Sequence, residues 1–234
     1  MIFANRTQAG QRLAQQLGKY ADRDDVLVLG APRGGAPVAF EVAKALSAPL
    51  DVFMLRKLGV PGHEELAFGA IASGGVRILD QRTVQGLGIS ELDIERTTRA
   101  EKQELERREA LYRKEHPPLD VVGMTVILVD DGIATGSTML AAIRALRKMK
   151  PARVVVAVPV APSHTCRKLE PEVDELVCLE MPTHFYGVGQ FYMDFSQVSD
   201  AEVTKLLNIA RGAAKQARNG NGKQRSAAAR KTAA

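Results

Sequence analysis

The chain has 234 residues, of which 45% are hydrophobic and 25% charged. This composition is typical of a soluble globular protein with one large domain, or with a domain and an appended subdomain. No apolar run approaches the ~18 residues of a membrane span, and the N-terminus has no signal-peptide pattern, so we expect a cytoplasmic protein. Cys166 and Cys178 lack a CxxC spacing and are interpreted as core residues rather than as a disulfide or metal site.

The formal net charge of +5 comes from the C-terminal end. Residues 211–234 hold seven of the 32 Lys and Arg residues and none of the 27 acidic residues, which leaves 25 basic and 27 acidic groups in 1–210. We therefore expect a folded domain over 1–210 and a disordered basic tail over 211–234. The tail is interpreted as a solvated end, with weak attraction to nucleic acid or an anionic surface as the alternative.

The elements predicted from apolar periodicity alternate between helices and strands. A Ser90-x-x-Asp93 capping signal opens a long charged helix, which Pro117 and Pro118 end. This alternation favours an α/β fold with a central parallel sheet and helices on both faces. The predicted helices cover 6–20, 36–46, 90–115, 138–149 and 201–214; the predicted strands cover 26–29, 51–55, 68–72, 76–79, 154–158 and 175–179, with a mobile loop at 57–63.

The most informative segment is the strand predicted at 126–129 with the loop that follows it. Asp130 and Asp131 lie at the carboxyl end of this strand, where open α/β sheets bind ligands. Ionised carboxylates only accept hydrogen bonds, which suits a pair of vicinal sugar hydroxyls. A helix begins at about Thr138, and its N-terminus suits a phosphate. The loop between the two is rich in small and hydroxylated residues: Ala134, Thr135, Gly136, Ser137 and Thr138.

These residues resemble the 5-phosphoribosyl-1-diphosphate (PRPP) binding motif of the type I phosphoribosyltransferases. The resemblance implies the fold of that family, which adds a small hood subdomain (here about 162–200 with the N-terminal segment) and a flexible loop to the central sheet. It also implies that Asp130 and Asp131 hold the ribose hydroxyls, that the loop from Ala134 to Thr138 cradles the 5′-phosphate, and that Mg²⁺ accompanies PRPP.

Two further segments match the pyrophosphate site of that family. The loop Gly30-Ala-Pro-Arg-Gly-Gly35 follows the first strand, and the resemblance implies that Arg33, Gly34 and Gly35 face the pyrophosphate. It also implies a cis peptide bond between Pro32 and Arg33. Arg56 and Lys57 end the next strand, where the family has a basic pair that contacts pyrophosphate. The simpler interpretation of the loop is a turn with a surface arginine. The simpler interpretation of Arg56 and Lys57 is a charge pair without a role.

The segment from Met181 to Asp194 resembles the hood of the hypoxanthine–guanine enzymes. The resemblance implies that Phe185 stacks on the base with Tyr186 beside it, and that Asp194 joins Asp130 and Asp131 in holding Mg²⁺ indirectly, through PRPP and water. A small aromatic satellite core is an equally weighted alternative. The hypoxanthine–guanine enzymes have an aspartate in the phosphate loop at the position of Ala134. The adenine enzymes have alanine there, as this chain does. The sequence therefore does not identify the acceptor.

The resemblance implies an enzyme that transfers the 5-phosphoribosyl group from PRPP to a nitrogen nucleophile, a nucleobase, and releases pyrophosphate. It also implies a homo-oligomer, a dimer. The alternative is a non-catalytic regulatory protein that senses PRPP with the same fold.

Overall fold

The computed structural model describes residues 2–113 and 119–213. Within these ranges, no helix has the length and apolar character that spanning a membrane requires. In chain order the elements are α1 (Arg6–Gln16), β1 (Val26–Gly30), α2 (Gly35–Ala45), β2 (Leu50–Val52), β3 (Leu55–Val60), β4 (His63–Ala72), β5 (Val76–Leu79), α3 (Gln81–Gly86), α4 (Glu91–Arg113), β6 (Thr125–Val129), α5 (Ser137–Lys148), β7 (Arg153–Val160), α6 (Ser163–Leu169), β8 (Glu175–Glu180) and a C-terminal helix α7 (200–213).

A five-stranded parallel sheet forms the centre of the molecule, in the order β2-β1-β6-β7-β8. Every residue of β1 and β6 is buried, as expected for strands covered on both faces. Successive side chains of β1 enter different cores: Val28 packs with α1, α2 and α7, whereas Leu29 packs with α5 and α6. The predicted α/β fold with a central parallel sheet and helices on both faces is confirmed.

The predicted mobile loop at 57–63 is wrong, because most of this segment belongs to a β-hairpin. Strands β3 and β4 pair in antiparallel register, and β5 completes a second, three-stranded sheet. The two glycines and the proline that indicated a loop do not interrupt the hairpin. Gly59 lies at an irregularity in the strand register, and Pro61 and Gly62 form the turn. The strand predicted at 51–55 is correspondingly divided between β2 and β3, which belong to different sheets.

The long charged helix was predicted correctly from its first turn to Arg113, and its predicted end at 114–118 lies outside the described residues. The Asp93 N–H donates to Ser90 Oγ at 3.1 Å, and Ser90 Oγ donates to the Asp93 carboxylate at 2.6 Å. Ile94 and Leu105 are buried on its inner face. The short helix α3 was not predicted; Asp80 caps it by accepting the Arg82 N–H at 3.1 Å.

Helix α7 extends three residues past the expected boundary between domain and tail at residue 210. Residues 211–213 continue helix α7, and Arg211 is tied to the domain. Its guanidinium donates to the Tyr112 carbonyl at 3.1 Å and lies 3.7 Å from the Asp51 carboxylate. Composition alone cannot reveal these contacts, because a basic residue at a helix end resembles the start of a basic tail. The rest of the expected tail, 214–234, lies outside the described residues.

The N-terminal segment joins the irregular hood that follows β8. The Phe3 N–H donates to the Phe191 carbonyl and the Met193 N–H to the Phe3 carbonyl, both at 2.8 Å. Phe3, Phe191 and Tyr192 are buried together in a third, smaller apolar cluster. The hood is therefore attached to both the start of the chain and the central sheet, beside the carboxyl ends of β6 and β7.

Candidate functional site

The acidic pair lies at the carboxyl end of β6, as its position after an apolar strand predicts. Asp131 is buried, with 9% of its surface exposed, and Asp130 is half-buried. The Asp131 N–H donates to Asp130 Oδ1 at 2.8 Å. Burial raises the pKa of Asp130 well above its usual value, and repulsion from the Asp131 carboxylate raises it further. Burial also raises the pKa of Asp131, while a hydrogen bond from Arg6 opposes that rise.

Arg6 is the functional residue that sequence reasoning missed. Its Nε lies 2.7 Å from Asp131 Oδ2, and the two side chains are only 11% and 13% exposed. Its Nη1 donates to the Ser196 carbonyl at 2.8 Å, and its guanidinium carbon lies 3.9 Å from the centre of the Phe195 ring. Arg6 and Asp131 are 125 residues apart, so no local motif could have linked them. The guanidinium partly offsets the charge of two neighbouring carboxylates.

The glycine-rich loop between β1 and α2 packs directly on the acidic pair. A Cβ atom at Gly34 would lie 2.0 Å from Asp131 Oδ2, and one at Gly35 would lie 2.7 Å from the Val129 carbonyl. Only glycine permits this approach. The Pro32–Arg33 peptide bond is cis, as expected. The Arg33 side chain is exposed at this loop. The structure therefore brings the two loops from β1 and β6 together.

The phosphate loop is held in place by helix α6. Gly136 adopts a left-handed conformation with φ 76°, and a Cβ there would lie 2.8 Å from Thr165 Cγ2. Thr165 Oγ1 donates to the Ala134 carbonyl at 2.7 Å. Helix α5 begins at Ser137 without a side-chain cap from Gly136, and the Ser137 N–H has only a long contact of 3.5 Å to Thr135 Oγ1, so the first amides of the helix are largely available to a ligand. The hydroxylated side chains Thr135, Ser137 and Thr138 are exposed.

The basic pair on β3 divides between two faces, since successive side chains of a strand alternate. Arg56 Nε lies 2.6 Å from a Glu101 carboxylate oxygen on α4. Lys57 is exposed and lines an 820 Å³ cleft that reaches Ser137 of the phosphate loop. The structure thus places Lys57, but not the Arg56 guanidinium, on the cleft that contains the start of α5.

A second cavity of about 500 Å³ lies between the phosphate loop and the hood. Phe185 lines it and also stacks on Phe191 of the satellite cluster, with ring centres 5.8 Å apart. Tyr186 lines it as well and is 92% exposed. Phe185 therefore belongs to the satellite cluster and also faces the cavity, while its stacking on a base stays a prediction. The Gln190 side chain fixes the loop by accepting the Tyr186 N–H at 2.9 Å and donating to the His184 carbonyl at 3.1 Å.

The donors present fit a magnesium ion that is held mainly by phosphate oxygens. The described parts of the chain contain no group of three or more His, Cys, Asp or Glu side chains that could hold a metal ion. Asp194 is exposed, and its carboxylate accepts the Ser196 N–H at 3.0 Å, which holds the pKa of this carboxyl below its usual value. Asp130 and Asp131 offer hard oxygen ligands that suit Mg²⁺, but too few to complete its coordination.

The comparisons with known proteins identify the family of the chain. Residues 1–196 match the phosphoribosyl transferase domain, and the chain belongs to this family. The crystal structure of TT1426 from Thermus thermophilus superposes with a TM-score of 0.78 at 39% identity, over 88% of this chain and 98% of that one.

Two curated relatives are longer than the region that they share with this chain. A Mycobacterium tuberculosis protein named as a phosphoribosyl transferase is 44% identical over 209 residues, which are 89% of this chain and 47% of that protein. The bifunctional protein PyrR of Chloroflexus aurantiacus is 32% identical over 130 residues, 54% of this chain and 65% of its own. The chain therefore spans about half the length of the first of these relatives.

Proposed function

We propose that the protein binds PRPP with Mg²⁺ and transfers its 5-phosphoribosyl group to a ring nitrogen of a nucleobase-like heterocycle, with release of pyrophosphate. The main support is the contact between Gly34 and the acidic pair. This contact holds a loop that is suited to pyrophosphate beside two carboxylates that are suited to ribose hydroxyls. The exposed loop from Ala134 to Thr138 follows the same strand β6 as the two carboxylates, which supports neighbouring sites for the three parts of PRPP.

In this proposal Asp130 and Asp131 accept hydrogen bonds from the ribose hydroxyls. The amides and hydroxyls from Thr135 to Thr138 bind the 5′-phosphate at the start of α5. Arg6 favours the ionised form of Asp131, which accepts those hydrogen bonds, beside a second carboxylate. Magnesium, when bound with PRPP, offsets the pyrophosphate charge.

The protein contributes mainly position and charge to the transfer. The ring nitrogen forms a bond to C1 of the ribose while the bond from C1 to the pyrophosphate oxygen breaks, and the electron pair leaves with pyrophosphate. Arg33 and Lys57 stabilise the charge on the departing group. Arg56 joins them once it exchanges Glu101 for the ligand. Phe185 and Tyr186 hold the acceptor beside the ribose.

The test is a calorimetric titration with PRPP and Mg²⁺, followed by an assay of pyrophosphate release with a panel of nucleobases. We expect PRPP to bind and at least one heterocycle to support release. Binding without release for any acceptor would instead favour a PRPP-sensing regulator. Failure to bind PRPP would reject both. We also propose a cytoplasmic homodimer, which light scattering of the purified protein and cell fractionation would test.

A further inference from the structure

The cavity between the phosphate loop and the hood is lined by basic side chains but, within the described parts of the chain, by no acidic one. His164 and Arg167 supply its basic groups. They lie three residues apart on α6, so they face the same side of that helix. This cavity is where the proposed function places the acceptor.

Arg167 has no carboxylate partner among the described residues, and its side chain is exposed. Other arginines nearby do have one: Arg144 lies 2.8 Å from Glu172, and Arg147 lies 2.8 Å from Asp174. An exposed guanidinium needs no partner for stability. One that lines a cavity without acids, however, is available to bind an anion that enters it.

The remaining walls favour a flat ligand. Phe185 and Tyr186 offer aromatic surface, and Pro162 and Pro182 add rigid apolar surface. The cavity volume of about 500 Å³ is within the usual range for a small-molecule site, about 300–1,000 Å³. A guanidinium binds a carboxylate through two parallel hydrogen bonds, which fixes the orientation of a planar ring.

We infer that the acceptor is an aromatic heterocycle bearing a carboxylate, which Arg167 binds. The inference rests on the proposed function and specifies its substrate class. The carboxylate takes no part in the transfer itself. Arg167 instead orients the ring, so that its nitrogen faces C1 of the ribose.

Two matched pairs of probes test this: nicotinate against nicotinamide, and orotate against uracil. Their affinities are measured by calorimetry with Mg²⁺ and pyrophosphate, so that no transfer can occur. We expect the carboxylated member of at least one pair to bind about tenfold more tightly than its neutral partner, as a charge-assisted pair predicts. Arg167→Gln should reduce the preference to about twofold or less, and Arg167→Lys should restore part of it.

Lys205→Gln is the control, because it removes one positive charge from an exposed side chain of α7 that lines neither this cavity nor the cleft that contains Lys57. It should leave the preference intact. Equal affinities within both pairs, or no binding by any of the four probes, would overturn the inference. So would an Arg167→Gln variant that loses PRPP affinity, because Arg167 would then belong to the 5′-phosphate site. PRPP affinity of the unaltered protein, measured separately, reports on the proposed function alone.

Discussion

The two carboxylates of the site have different surroundings, and their amide variants should differ in stability. The folded-state pKa of Asp130 is raised, so the folded protein binds this proton more tightly than the unfolded chain, whose carboxyl has a pKa of about 3.9. Stability is therefore lost as pH rises from about 4 through the raised pKa. Asn at this position can still accept the Asp131 N–H and carries no charge.

We accordingly expect Asp130→Asn to bind PRPP poorly yet to have a higher Tm than the unaltered protein at neutral pH. A gain of about 1 kcal/mol would raise the Tm by about 2–4 °C in a chain of this size. The gain should shrink as pH is lowered towards 4. Thermal unfolding between pH 4 and pH 8 measures it, and a lower Tm across the whole range would contradict the proposed desolvation of Asp130.

Asp131→Asn should have the opposite effect on stability. It keeps a hydrogen-bond acceptor for Arg6 but leaves the nearly buried guanidinium without its counter-charge. We expect a loss of about 1–3 kcal/mol, less than the ~3–5 kcal/mol for removing one partner of a buried ion pair completely. Chemical denaturation of both single variants compares them directly. A more stable Asp131→Asn variant would show that the Arg6 pair costs more in desolvation than it returns.

Gly34 provides a steric test of the same site. An added Cβ would lie 2.0 Å from the Asp131 oxygen that Arg6 contacts, so the loop or the pair must move. Gly34→Ala should therefore weaken PRPP binding at least tenfold and cost about 1–3 kcal/mol, as overpacking usually does. Gly18→Ala is the control, since no atom lies within 4 Å of its Cβ position. PRPP affinity unchanged in Gly34→Ala would separate this loop from the ligand site.

At the scale of elements, the end of α4 is held to the sheet by a buried arginine. Arg113 donates to the Val52 carbonyl at 3.0 Å and lies 3.5 Å from Asp51, with a side chain only 8% exposed. On the same helix, Arg107 is 61% exposed and pairs with Glu104. Both arginines pair with carboxylates, but Arg113 is buried and Arg107 is exposed.

We expect Arg113→Ala to lower the free energy of unfolding by about 3–5 kcal/mol, because it leaves the Val52 carbonyl unpaired and Asp51 with only the longer contact to Arg211. Arg107→Ala should lower it far less, because exposed ion pairs contribute little. Urea denaturation of both variants provides the measurement. Similar costs for the two would mean that Arg211, which also approaches Asp51, replaces the lost charge.

The sequence predicted those elements whose signals are contiguous. The apolar run before Asp130 and the small residues after it define a strand, a loop and a helix in order, and the Ser90 cap marks the start of α4. Contacts between distant segments were not predictable. Arg6 reaches Asp131 and Thr165 reaches Ala134 only once the sheet has formed, and Arg211 belongs to the domain only because Asp51 and Tyr112 are near it.

At the scale of the whole molecule, the described domain should be independent of the residues after 213. From Ala214 to the end, alanine is the only hydrophobic residue type, so this segment has little apolar surface to bury. A chain that ends at Ala213 should keep the Tm of the full chain to within a few degrees, and also its PRPP affinity. It should lose any weak binding to nucleic acid, which a gel-shift assay at low salt detects.

A chain that ends at Ser199 is the control for this truncation. It removes α7 and therefore Val203 and Leu207, which are 0% and 1% exposed in the core. We expect this shorter chain to be insoluble or to unfold at a markedly lower temperature. If both truncations failed alike, residues after 213 would be required for the fold, contrary to their composition.

The bond from the Tyr192 hydroxyl to the Asp131 carbonyl, 2.6 Å long, connects the hood to the proposed ribose site. Tyr192 does not line the acceptor cavity itself, but it ties the hood that carries Phe185 to Asp131, and we therefore expect the free energies of filling the two sites to be linked. If PRPP strengthens acceptor binding by some factor, the acceptor must strengthen PRPP binding by the same factor. Replacing Tyr192 with Phe should bring that factor towards one while each ligand, alone, binds almost as before. Cooperativity between substrates would then depend on a single hydroxyl group.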